Sequence, residues 1–228
     1  MAERKDEILN FIVEEFIKTA TPVSSSLIVD KYFKDLSSAT VRNDMVLLEE
    51  MGLIFQPHTS AGRIPTIEGY KSYLNEIQGR EWTLNIKSKK IIDSINLTKS
   101  EQDIKSMAKA LAEISDSAVL IGFSPHNVYY TGISNIFRQP EFRDQTLIYS
   151  ISEVIDHLDE VMQMIYLKIG EEIKIIIGDE NPFGELTSVI LSKVNIENKE
   201  IMVGILGPNR MDYRENISLI KYIQQIKK

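Results

Sequence analysis

A chain of 228 residues can hold one large domain or two ordinary ones, and 43% hydrophobic with 26% charged residues is the balance of a globular protein. The absence of cysteine excludes a disulfide framework and a thiolate zinc site, and a net charge of −7 argues against indiscriminate nucleic-acid binding. The N-terminus has no signal-peptide shape, and the longest apolar run, Ala118 to Phe123, is too short to span a bilayer, so a cytoplasmic protein without membrane contact is expected.

In chain order, Ile8, Phe11, Ile12 and Phe16 predict an amphipathic helix over 5–20, with Glu7, Glu14 and Glu15 mostly off its apolar face. Thr21-Pro22-Val23 reads as a turn. Ser24 to Tyr32 reads as a short helix capped by Ser24, with Leu27, Ile28 and Phe33 as candidate core. The next helix starts at Ser37 or Ser38, whose hydroxyl can cap the first turn. Val41, Met45 and Leu48 make its buried stripe, and Gly52 ends it. Leu53, Ile54 and Phe55 form a short strand, and Gln56 to Thr66 suits a hairpin tip rich in small hydroxyl residues. Three helices and a hairpin are the winged-helix order.

Thr66 should cap a further helix to Ile77, and Gln78-Gly79-Arg80 marks a boundary. The stretch 82–97 is ambiguous: strand or linker, then helix. Lys99 to Ser115 is helical, and the signal then turns to α plus β. Strands are expected over 118–123, 128–131, 173–177, 186–194 and 201–206, with a long helix or helix pair over 144–170. Asp212 opens the last helix, with Glu215 as its capping-box partner. The expected division is 1–80, a linker and helix over 81–103, and an α+β domain over 104–228.

The helix from Ser37 carries Thr40, Arg42 and Asn43 on the side away from its apolar stripe. Arginine pairs with guanine, asparagine with adenine, and a helix N-terminus favours an anion. On pattern alone the helix and hairpin fit a DNA reader or a protein interface. Net acidity weighs against the first, since the first 80 residues carry 9 Lys+Arg against 12 Asp+Glu. A DNA face would therefore be local, built from Arg42, Arg63, Lys71 and two helix N-termini.

Ser38-Ala39-Thr40-Val41-Arg42-Asn43, then Leu48-Glu49, then Pro57 to Thr66 resemble the winged-helix signature of the HrcA family of heat-inducible transcription repressors. Gln139-Pro140-Glu141-Phe142, Ile177 to Asn181 and Gly207 to Tyr213 agree with the same family. The resemblance implies a winged helix-turn-helix domain followed by a GAF-like α+β domain. It further implies a homodimer on an inverted-repeat DNA operator before chaperone genes, and control by the GroE chaperonin. Expected DNA contacts are Ser38, Thr40, Arg42 and Asn43 from the helix, with His58, Thr59, Ser60 and Arg63 from the wing. This chain departs from the pattern after Phe123-Ser124-Pro125, where it passes almost at once to Val128. The GAF-like domain is therefore trimmed, and the family's inserted dimerising domain is missing.

No enzymatic constellation is expected: His58, His126 and His157 are scattered, and no P-loop or nucleophile motif occurs. No cofactor or metal is expected. Gly178 to Asn181 could hold a cation and Gly207 to Arg210 an anion, but a polar turn and a helix cap explain them as well. The alternative function is a metabolite-responsive regulator whose GAF-like domain binds a small ligand.

Overall fold

The computed structural model describes residues 2–77, 80, 82–143, 152 and 154–226, and of 2, 3 and 143 the backbone alone. It divides into two compact units, Met1–Arg80 and Glu81–Lys228. Most of 144–153, within the helix expected over 144–170, lies outside the described residues.

The first unit runs α1 (Ala2–Thr19), α2 (Ser25–Lys31), α3 (Ser38–Glu50), β1 (Ile54–Phe55), β2 (Ile64–Pro65) and α4 (Ile67–Ile77). α2 begins at Ser24, whose hydroxyl accepts from the Leu27 N–H. α3 begins at Ser37, which caps the Thr40 N–H in the same way. It ends where Gly52 takes φ +72, which lets the Gly52 and Leu53 N–H groups bond back to the Glu49 and Leu48 carbonyls at 2.9 and 3.0 Å. Ile8, Ile12, Ile28, Val41, Leu48 and Tyr73 are among its fully closed core. Glu15 departs from the expected amphipathic pattern: it is buried, and Lys31 of α2 holds it at 2.6 Å. A buried carboxylate needs such a partner, and the partner lies on another element, beyond the reach of a periodicity argument.

β1 and β2 pair antiparallel through Ile54↔Pro65 and Phe55↔Ile64. Thr66 joins this hairpin to its surroundings. Its hydroxyl donates to the Gly52 carbonyl at 2.6 Å and accepts from the Gly69 N–H at 3.0 Å, which caps α4.

The second unit contains α5 (Ile86–Asp93), α6 (Glu101–Ser115), β3 (Ala118–Ser124), β4 (Asn127–Thr131), α7 (Ile133–Arg138), α8 (Leu158–Tyr166), β5 (Lys174–Ile177), β6 (Thr187–Ile196), β7 (Lys199–Pro208) and α9 (Tyr213–Ile226). The strands form one five-stranded antiparallel sheet in the order β4-β3-β7-β6-β5. Central strands β3, β6 and β7 are buried nearly throughout, because helices cover both faces. Leu120, Leu191 and Met202 pack with Ile136 of α7 and Met162 and Ile165 of α8. On the alternate positions, Val119, Ile190 and Val203 are equally closed, and α6 and α9 pack against β3 and β6. This is the mixed α+β class. Only Pro125 and His126 separate β3 from β4, which form a direct hairpin.

Candidate nucleic-acid interface

α3 presents two faces. Val41, Met45 and Leu48 are buried, while Arg42 and Asn43 are exposed beside them. Thr40 is half-buried, and its hydroxyl shares a 2.8 Å hydrogen bond with Ser37. Ser38 is half-buried, and its hydroxyl meets Ser25 of α2 at 2.9 Å. Ser38 therefore ties the two helices together, and its hydroxyl is less available to a ligand than the sequence suggests. Lys71, on α4, is bonded to Glu68 at 2.9 Å.

The hairpin tip is held from inside. The Gln56 side-chain amide donates to the Thr59 and Ala61 carbonyls at 3.0 and 2.8 Å, and the Ala61 N–H donates to the His58 carbonyl at 2.8 Å. These bonds satisfy the turn's own acceptors and leave His58, Thr59 and Ser60 exposed at its surface. Past the tip, the Arg63 backbone exchanges two 2.8 Å bonds with Val23, adding a one-residue third strand to the hairpin. That pairing is why Gly62 is glycine: a Cβ there would stand 2.3 Å from the Val23 carbonyl oxygen.

The Arg63 side chain crosses to α3. Its Nε and Nη2 both lie 2.9 Å from Glu49 Oε2, and it is 15% exposed. From the local sequence Arg63 is expected to be an open cation, but the structure pairs it. Between α3 and the hairpin lies a groove of about 440 Å³, lined by Ser24, Ser25, Arg42, Met45 and the wing residues Gln56 and Thr59 to Arg63. It brings Arg42 together with Thr59, Ser60 and Arg63.

Pairing bears on the acids of α3 locally and leaves the net charge as it is. Asp44 on α3 is buried and bonded by Arg4 of α1 through two nitrogens at 2.9 Å. The same carboxylate pushes the Arg4 guanidinium further from deprotonation, first through that hydrogen bond and then by charge. Asp44 and Glu49 are thus each matched by an arginine, while Arg42 stays exposed on α3. Glu49, Gln56 and Val23 hold the hairpin that forms one side of this groove, and the local sequence marks none of them as site residues. Helical spacing hints at Glu49, which lies about two turns from Arg42 and so on the same side; nothing local marks Val23.

The remaining polar motifs serve the fold. Arg210 bonds Glu141 and, at 2.7 Å, Gln139, which joins two of the three later segments that carry the resemblance. Asn181 is buried and donates to Thr187 and to the Gly184 carbonyl, closing its own loop. Asp212 caps α9 through the Glu215 N–H at 3.0 Å. Glu215, however, accepts from Asn85 and Ser88 at 2.6 and 2.7 Å, so it fastens α5 to α9 instead of completing a capping box. Among the described residues no three His, Asp or Glu side chains converge as a metal cage, and no helix is long and apolar enough to cross a membrane.

Residues 36–217 match the profile of the family described as HrcA protein C terminal domain. The chain belongs to the HrcA family. The heat-inducible transcription repressor HrcA of Brevibacillus brevis is 26% identical over 329 residues, covering 99% of this chain and 96% of that relative. The HrcA repressor of Chloroflexus aurantiacus is 50% identical over 80 residues, 35% of this chain and 22% of its own length. A crystal structure of a hypothetical protein shares the fold, with a TM-score of 0.78, 20% identity, and coverage of 97% of this chain and 95% of that one. The Brevibacillus alignment is longer than the 228 residues of this HrcA-family chain, so a long stretch of that relative has no counterpart here.

Proposed function

We propose that this protein is a heat-inducible transcription repressor whose Met1–Arg80 unit is a winged helix-turn-helix domain bound to an operator before chaperone genes. α3 enters the major groove, with Thr40, Arg42 and Asn43 at base edges and Ser38 at its N-terminal end. His58, Thr59, Ser60 and Arg63 approach the adjacent backbone or minor groove. The observation that carries this reading is the groove between α3 and the hairpin, which places exposed Arg42 opposite the hydroxyl-rich tip. Two copies bind an inverted repeat, because one such face offers few contacts. The second unit is a GAF-like domain, trimmed of the family's insertion; the direct β3–β4 hairpin and the alignment gap support this. The protein acts in the cytoplasm, and the family resemblance supports GroE chaperonin as the factor whose withdrawal on heating releases the DNA.

A gel-shift titration tests the reading. It uses the promoter of the organism's chaperone genes beside a scrambled duplex, at two salt concentrations. Preference for the promoter that survives the higher salt is expected, and equal binding to both duplexes would reject it.

One feature favours the metabolite-responsive alternative. A cavity of about 580 Å³ in the second unit is lined by Trp82, Lys89, Lys221 and Tyr222, and the Trp82 indole N–H is buried with no partner among the described residues. A thermal-shift screen of small anions decides. A compound that both raises the melting point and changes operator affinity supports this alternative, and its absence from a broad screen counts against it.

A further inference from the structure

Glu49 is out of place on a DNA-facing groove. It lies on the side of α3 that carries Arg42, and a carboxylate there repels phosphate. A phosphate clamp at Arg63 would be weakened by the same acid. Yet Arg63 Nε and Nη2 converge on one Glu49 oxygen, and the arginine side chain is mostly covered. The hairpin explains why such a pair is useful. Its ladder is two residues on each side, too short to hold a tip at a fixed angle. The Val23 pairing fixes the Arg63 backbone, and the Gln56 amide fixes the tip internally. Beyond these, the Glu49–Arg63 pair ties the wing by side chains to the exposed side of α3.

We infer that the Glu49–Arg63 pair is a brace that sets the wing against α3, and that Glu49 is thereby a positioning residue for operator binding. The inference rests on the DNA reading of this groove and adds to it which residue sets its geometry. Arg63 acts mainly through Glu49, and the acid that ought to weaken binding strengthens it.

The two roles for Arg63 predict opposite signs for one substitution. If Arg63 is a free clamp, Glu49→Gln removes a repelling charge, releases the arginine and tightens binding to any duplex. If the pair is a brace, Glu49→Gln weakens promoter binding by about tenfold and leaves binding to scrambled duplex unchanged or slightly tighter. The experiment is a fluorescence titration of the full chain against labelled promoter and scrambled duplexes. It compares wild type, Glu49→Gln, Arg63→Gln and the double variant, with melting temperatures measured alongside. In the brace, the double variant binds the promoter no more weakly than Arg63→Gln alone. Glu49→Asp, one methylene shorter, also weakens promoter binding, and it decides the matter should Glu49→Gln fail to fold. Promoter binding by Glu49→Gln or Glu49→Asp as tight as wild type overturns the brace and leaves the DNA reading standing. Failure of wild type to discriminate the two duplexes overturns both.

Discussion

On the proposed reading, Arg42 supplies the discrimination that overall charge denies this molecule. Of the residues beside it in the chain, Val41 and Asp44 are buried and Asn43 is exposed. If it reads a base edge, Arg42→Ala should cost about 1–3 kcal/mol of operator affinity and flatten the preference between operator variants. Binding curves against a panel of single-base changes check this; a uniform loss across the panel would make Arg42 a phosphate contact instead. Gly62 acts at the same scale through the backbone. An added Cβ would press 2.3 Å from the Val23 carbonyl oxygen, and neither partner is a flexible side chain. Gly62→Ala should therefore part the wing from Val23, at about 1–3 kcal/mol of stability by analogy with overpacking. Calorimetric melting of the variant, with operator titration beside it, reads both effects; an unchanged melting point would show that the hairpin relaxes freely.

At the scale of elements, boundaries marked by local chemistry were legible and ties between distant elements were not. Ser37 and Gly52 bound α3 because a hydroxyl cap and a left-handed residue act within one turn. The expected strand over 201–206 lies inside the observed Lys199–Pro208, and that over 118–123 inside Ala118–Ser124, since apolar runs in a covered sheet need no partner to be recognised. The short α7 has no signal in the sequence, as six residues give too little periodicity. Glu215 differs from the expected capping box because its partners, Asn85 at the N-cap of α5 and Ser88 within it, lie far away in the chain. The same pair of helices carries a second tie, from the Tyr222 hydroxyl of α9 to Asp93 of α5. The hydrogen bond to Asp93, then burial, raises the Tyr222 phenol from 10.0 to about 12. A pKa higher in the folded state favours the neutral phenol, so this contribution is complete below pH 10 and is lost as pH rises through about 12. Asp93→Asn should return one tyrosine toward its ordinary range. A difference titration by ultraviolet absorbance checks this, and identical curves for wild type and variant would remove Asp93 as the cause.

For the whole molecule, an excess of acid must coexist with attraction to a polyanion. The net charge of −7 opposes approach to DNA at every distance within the screening length, which is about 10 Å at 0.1 M salt. Arg42 and a wing whose arginine is already paired cannot offset that repulsion by charge number. On the proposed reading, affinity comes from shape and from two faces engaging together, with little contribution from counterion release. A symmetric operator should bind about a hundredfold or more tighter than a duplex carrying one half-site. Moving the half-sites apart by about five base pairs turns one onto the opposite side of the helix and should abolish that gain, since a full turn spans about 10 base pairs. The salt dependence should stay shallow for both duplexes, because few phosphates are neutralised by each face. Titrations of the symmetric, half-site and respaced duplexes at two ionic strengths measure all three quantities together. A half-site duplex that binds as tightly as the symmetric one would mean that a single acidic chain holds DNA by itself, which one exposed arginine and one paired arginine give it no means to do.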